Sequence, residues 1–252
     1  MKPNQLVLLY FLFTLILPNW GQANDSIVFA VDPTKPPMQY IDQKGELVGF
    51  EIDLVKEMAK QGDFTPIFKK VPWMQLFSGL EEDQYDAACA SISITDARKD
   101  QMEFTTPYYQ IAQAVLALPG GGISTIKDLA GKKLGVKKGT TSQTDAENIP
   151  KVNAVPFPDI PTAIQALYAH EVDAIMCDGP VAGYYAVLDE KKAVHAEIVF
   201  VVEDDWVEMY GIAVKRGNKE VKNRLSRALQ NIQTNTIIEL QKKWFSGLLE
   251  SP

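Results

Sequence analysis

The chain is poor in the side chains that carry metal and redox chemistry. Its 252 residues include two cysteines, Cys89 and Cys177, and two histidines, His170 and His195. Scattered in this way they lack the spacing of a metal site, so neither a metal nor a cofactor is expected. The cysteines fall in different halves of the chain. A bond between them would lock those halves together, and they are not expected to pair. Catalytic signatures are missing too: there is no GxSxG elbow, HExxH, Walker loop or GxGxxG. Basic residues are in deficit, with 25 Lys and Arg against 32 Asp and Glu and a net charge of −7. That balance argues against nucleic acid as a partner. Beyond the N-terminal stretch, no segment is apolar for long enough to span a bilayer.

That stretch, "MKPNQLVLLYFLFTLILPNWGQAN", has Lys2, an apolar run from Leu6 to Leu17, then Pro18 and the small residues Gly21 and Ala23. This is the layout of a secretory signal peptide over residues 1–23, cut after Ala23. The run is short of the roughly 20 residues of a spanning helix, and no cysteine follows it to take a lipid. The mature chain from Asn24 is long enough for two modest domains.

Strand and helix patterns alternate along it. "SIVFAV", "FTPIFKKV" and "YDAACASIS" read as strands. "FEIDLVKEMAKQG" places Ile52, Val55, Met58 and Ala59 on one helical face, with acids in the first turn and Gly62 as a stop. The pattern then restarts with "KKLGVKKGTTSQ", "TAIQALYAHEVDAIMCDGP" and "EIVFVV", and it ends in two amphipathic helices after "YGIAVKRG". Alternation of this kind predicts largely parallel sheets. "GLEEDQYDAACASIS" and "ALYAHEVDAIMCDGP" echo each other, which points to two lobes of similar build.

In open α/β sheets ligands bind beyond the carboxyl ends of strands, and three polar clusters lie there. In "SISITDARKD" Ser91 and Ser93 share a face, Thr95 can cap the helix that follows, and Arg98 sits where acids are favoured. Arg98 reads either as a surface residue or as an anchor for a carboxylate. "KKGTTSQ" (137–143) reads either as a plain strand-to-helix turn or as a nest of N–H groups for an anion. In "CDGP" Asp178 either caps the next helix or faces a cavity and binds a cation. Together the three supply both signs of charge, as the head of an α-amino acid requires once it leaves water.

These phrases, with "GELVGFEIDLVKEMAK", "FTTPYY", "DLAGKKLGVKKGTTSQ" and "YGIAVKRGN", resemble the solute-binding proteins of polar amino-acid ABC transporters, extracellular family 3, from about Ile27 to Phe245. The resemblance implies an α/β fold of the periplasmic binding protein type II class, with two α/β lobes joined by a two-strand hinge. Lobe 1 would comprise 24–112 and 207–252, lobe 2 would comprise 113–206, and the crossings would lie near Gln110–Val115 and Glu203–Tyr210. It implies that Arg98 clamps the ligand carboxylate, that Ser91 and Ser93 bond the head group, that Thr141 donates to the carboxylate and that Asp178 takes the ammonium. Ala90 and Thr140 belong to the same set. Phe50 would stack on the aliphatic part of the ligand.

For the ligand's tip, the resemblance points to Asp32 and Lys137, one accepting and one donating, which suits the amide of glutamine. Lys35 stands where many members carry an aromatic lid, and Met38 replaces a usual Phe. Lys35 and Lys137 together leave glutamate or aspartate open, and arginine or lysine also remain. Lys35 itself reads as a solvated loop residue, and Trp73 and Trp206 as core or rim. The partners implied are a small-molecule amino acid and the membrane permease of an importer, with a monomer in the periplasm. The rival reading is an enzyme on the same fold, a cyclohexadienyl or arogenate dehydratase. A receptor sensor domain is the third class, and "KKWFSGLLESP" at the end of the chain speaks against it.

Overall fold

The computed structural model describes residues 25–188, 195–202 and 208–246. The expected signal peptide, Trp206 and most of the second expected crossing lie outside them. In the first half, β1 (Ser26–Val31) leads into a three-stranded meander of β2 (Thr34–Lys35), β3 (Gln39–Ile41) and β4 (Leu47–Val48). Then come α1 (Phe50–Gly62), β5 (Thr65–Lys70), α2 (Leu76–Glu81), β6 (Ala87–Ser93), α3 (Asp96–Lys99), β7 (Met102–Phe104) and β8 (Tyr109–Ile111). The second half holds β9 (Gln113–Ala117), β10 (Lys133–Lys137), α4 (Thr141–Asn148), β11 (Asn153–Phe157), α5 (Ile160–Tyr168), β12 (Ala174–Asp178), α6 (Gly179–Leu188) and β13 (Glu197–Val201). The chain returns with β14 (Glu208–Lys215), α7 (Lys219–Gln230) and α8 (Thr234–Phe245).

The two large sheets repeat one plan. The first runs β5-β1-β6-β14-β7, with β8 also paired to β14, and the second runs β11-β10-β12-β9-β13. In each, three parallel strands are followed by an antiparallel one: β14 pairs β6, and β9 pairs β12. The echoing phrases fall on β6 and β12, the same position in the two sheets. The chain leaves the first sheet for the second at Ala112 and comes back between β13 and β14. This is the two-lobed α/β architecture the resemblance implies.

Local chemistry sets the elements. α1 buries Phe50, Leu54 and Met58, spaced four apart on one stripe, and burial of each such side chain contributes about 1.5–3 kcal/mol. Its start needs Gly49, whose φ is 138° and whose Cβ, if present, would lie 2.2 Å from the Met38 carbonyl oxygen. α5 is capped by Asp159, whose carboxylate accepts from the Thr162 N–H at 2.8 Å. The C-terminal helices close the first lobe. Trp244 Nε1 donates to Asp53 at 3.0 Å, and Arg224 donates to the Gly62 and Asp63 carbonyls at 3.0 and 2.8 Å. Cys89 and Cys177 are both free and buried. No helix among the described residues is long and apolar enough to cross a membrane.

Candidate functional site

The carboxyl ends of the middle strands of both sheets meet in one cleft. Asp32 follows β1, Ser93 ends β6, Lys137 ends β10 and Asp178 ends β12. Two buried ion pairs cross between the lobes in opposite senses. Lys35 of the first lobe meets Asp178 of the second at 3.2 Å, and Lys137 of the second meets Asp32 of the first. Thr34 joins the latter pair, donating to Asp32 at 2.9 Å and accepting from Lys137 at 3.1 Å. Burial pulls Lys137 below its ordinary value and Asp32 pulls the other way. A cavity of about 430 Å³ opens beside this pair, walled by Asp32, Trp73 and Asp159 among others.

Asp178 accepts three hydrogen bonds. Tyr210 donates to it at 2.5 Å, Gln113 at 3.0 Å and Lys35 at 3.2 Å. Burial alone would raise its carboxyl; Lys35 and the two hydrogen-bond donors outweigh that and hold it below the usual range. The network continues toward the hinge. Gln113 also donates to Glu208 at 2.9 Å, Ser142 donates to Gln113 at 2.8 Å, and the Thr141 hydroxyl donates to Glu208 at 2.9 Å.

Arg98 lies in α3, where Thr95 is the N-cap and its hydroxyl accepts from the Arg98 N–H at 3.3 Å. The guanidinium donates to the Ser93 carbonyl at 2.9 Å and to the Gly139 carbonyl of the other lobe at 3.5 Å. It takes part in none of the ion pairs among the described residues. Among the described residues its charge is met by carbonyl dipoles and rings; burial lowers its pKa, and the charges of Glu208 and Asp178 oppose that shift.

The ring around which the cleft is built is Trp73, not Phe50. The ammonium of Lys35, the ammonium of Lys137 and the guanidinium carbon of Arg98 lie 4.9, 5.3 and 5.4 Å from its centroid. Its Nε1 donates to the Gly139 carbonyl at 3.1 Å, tying the lobes together. Phe50 is 0% exposed and packs against Phe245 and Tyr109, with centroids 5.0 and 5.4 Å away. It stands on the core stripe of α1 with these rings. Lys35 corrects a second expectation: it is only 4% exposed and is no solvated loop residue.

Ser91 is held by Glu51, an acid in the first turn of α1. Its N–H and hydroxyl donate to Glu51 at 2.7 and 3.0 Å, and its φ is 52°. Tyr108 and Gln39 also donate to Glu51. The Ser91 N–H and hydroxyl are thus occupied by Glu51, and the Ser91 carbonyl accepts from Lys35 at 3.3 Å. Burial raises the Glu51 carboxyl, and these donors and Lys35 oppose the rise. Ala90 belongs to the apolar cluster that holds Trp73. Thr140 is the N-cap of α4, but its hydroxyl donates back to the Lys137 carbonyl at 2.7 Å. Thr141 opens α4, whose first-turn N–H groups have no partner within the helix.

The profile of the bacterial extracellular solute-binding proteins, family 3, matches residues 27–247. The chain belongs to this family. Among its relatives, a probable histidine-binding protein from Neisseria gonorrhoeae is 32% identical over 230 residues, covering 84% of each chain. The ABC transporter glutamine-binding protein GlnH of Bacillus subtilis (strain 168) is 31% identical over 231 residues, covering 88% of this chain and 81% of that one. Of solved structures, an ancestral arginine-binding protein bound to arginine superposes with a TM-score of 0.81 at 32% identity, covering 87% of this chain and 98% of that one. This likeness confirms the type II periplasmic binding protein fold.

Trp73, Gln113, Glu208, Tyr210 and Glu51 are the residues of this family 3 cleft that sequence reasoning missed. The strand-end rule could have found Trp73, which follows Pro72 just beyond β5.

Proposed function

We propose that this protein is the amino-acid-binding component of an ABC importer, exported through its N-terminal segment to the periplasm and docking as a monomer on a membrane permease. Lobe 1 (24–112 and 207–252) and lobe 2 (113–206) close on a polar L-amino acid by bending at their two connections. The observation that carries this reading is the pairing of opposite charges across one cleft. Arg98 has no carboxylate partner among the described residues, and Asp178 lies opposite it as a buried acceptor. A carboxylate on the first and an ammonium on the second describe the head of an amino acid.

Glutamine is the favoured ligand, because Asp32 accepts and Lys137 donates at the far end, which is what a side-chain amide needs. Glutamate or aspartate would use the two lysines, and arginine or lysine would use Asp32. The relatives named for histidine, glutamine and arginine support the amino-acid class without separating these. A micromolar ligand corresponds to about 8 kcal/mol. A few charged hydrogen bonds at about 1.5–3 kcal/mol each, with contact on Trp73, supply that much. The protein then binds without converting its ligand.

The test is a thermal-shift screen against the twenty amino acids, followed by calorimetry on the hits. Stabilisation by a polar amino acid supports the proposal, and no shift with any of them ends it. Incubation with arogenate or prephenate, with product followed by absorbance, tests the dehydratase alternative.

A further inference from the structure

The Lys35 ammonium meets three acceptors of different kinds: Asp178 Oδ2 at 3.2 Å, the Ser91 carbonyl at 3.3 Å and the face of Trp73 at 4.9 Å. A carboxylate, a main-chain carbonyl and a ring face are what a primary ammonium needs when it leaves water. They are equally what the ammonium of a bound amino acid would need, and Asp178 is the group proposed above to receive it. The Lys35 side chain is only 5% exposed. It is rooted on β2 between Pro33 and Pro36, whose rings fix their own φ. The ammonium is therefore presented to Asp178 at high effective concentration.

We propose that Lys35 is a tethered rival for this ammonium seat and that it sets the selectivity of the cleft. An amino acid reaches Asp178 only by expelling Lys35. A ligand with the same carboxylate and side chain but no ammonium leaves the Lys35–Asp178 pair intact. The identity of the ligand rests on the amino-acid reading, whereas the Lys35–Asp178 pair does not.

Two measurements test this. In the first, L-glutamine and its desamino analogue glutaramate are titrated calorimetrically into the wild type and Lys35→Met. The variant is expected to raise the preference for L-glutamine over glutaramate by about tenfold or more, because Asp178 loses its internal partner. An unchanged or reduced preference overturns the proposal. The second needs no ligand: reductive methylation followed by mass spectrometry, on the wild type and on Asp178→Asn. Lys35 is expected to react about tenfold or more slowly than the exposed Lys44 in the wild type, with that protection lost in Asp178→Asn. Equal rates for Lys35 and Lys44 in the wild type overturn the proposal. Protection of Lys35 together with binding of neither compound supports the pair and counts against glutamine alone.

Discussion

Lys35 and Asp178 meet across the cleft at 3.2 Å, while Asp32 and Lys137 meet in the opposite sense. Each lobe gives one lysine and one aspartate, so the internal charges of the cleft cancel in pairs. Arg98 remains outside both pairs. The guanidinium is therefore the cation proposed to receive the carboxylate of the ligand.

Arg98→Ala should therefore remove most binding. It leaves the ligand's carboxylate desolvated without a cation, a loss of about 3–5 kcal/mol. Calorimetry on the amino acid that most stabilises the wild type should show dissociation weakened by about a hundredfold or more. Unchanged affinity would mean that the carboxylate is held elsewhere.

Glu51 should matter to stability. Glu51→Ala strands the Ser91 N–H and hydroxyl, the Tyr108 hydroxyl and the Gln39 amide, and should cost about 3–5 kcal/mol in denaturant unfolding. Glu51→Gln keeps the volume and one acceptor, and should cost less. Its cost should also depend on pH. The folded carboxyl is raised by burial, so its contribution is present below the unfolded pKa and fades as pH rises through the folded one. The wild type's advantage over Glu51→Gln should narrow as pH rises above 4.5.

Asp145 gives a second pH signature. Burial, then Glu208 and Asp178, push its carboxyl up from 3.8 to about 6. A raised acid favours folding below pH 3.8, and that benefit disappears as pH rises through about 6. Asp145→Asn cannot ionise, so it should be the more stable protein at pH 7.5 and should gain little at pH 4. For a half-exposed side chain, solvent screening limits the gain to about 1 kcal/mol, or about 2–4 °C in Tm. Thermal melts of both proteins at the two pH values check this.

From the second lobe, Gly139 accepts the hydrogen bond of Trp73 Nε1. Its φ is +74°, and a Cβ there would lie 3.3 Å from Trp73 Nε1 and 3.2 Å from the Met74 sulfur. Gly139→Val combines backbone strain with a push against the ring. It should weaken ligand binding about tenfold or more while changing the unfolding midpoint less than Glu51→Ala does. Equal affinity in the variant would show that Trp73 and Gly139 need not touch when the ligand is held.

Much of this was legible in the sequence, for physical reasons. The central strands are continuous apolar runs because both faces of their sheets are covered. Asp32, Lys137 and Asp178 stand at strand ends, where the fold class puts its ligands. What escaped detection lies where local pattern and tertiary role part company. Phe50 was given a stacking role by the resemblance alone, while its spacing to Leu54 and Met58 marks the core stripe of α1. Glu51 looked like an acid answering a helix dipole, although its carboxylate organises Ser91 forty residues away in the chain. Lys35 looked solvated because a lysine between prolines has no periodicity to place it, and only its partner in the other lobe explains its burial. Cys89 and Cys177 lie on β6 and β12, strands of different sheets.

The central claim is that Arg98 and Asp178 grip the two charged ends of one small amino acid. A crystal structure of the protein with the amino acid that gives the largest thermal shift tests it most directly. The account predicts the ligand carboxylate on the Arg98 guanidinium, its ammonium on Asp178, and Lys35 displaced from that carboxylate. A ligand bound with both charged ends turned away from Arg98 and Asp178 would contradict it.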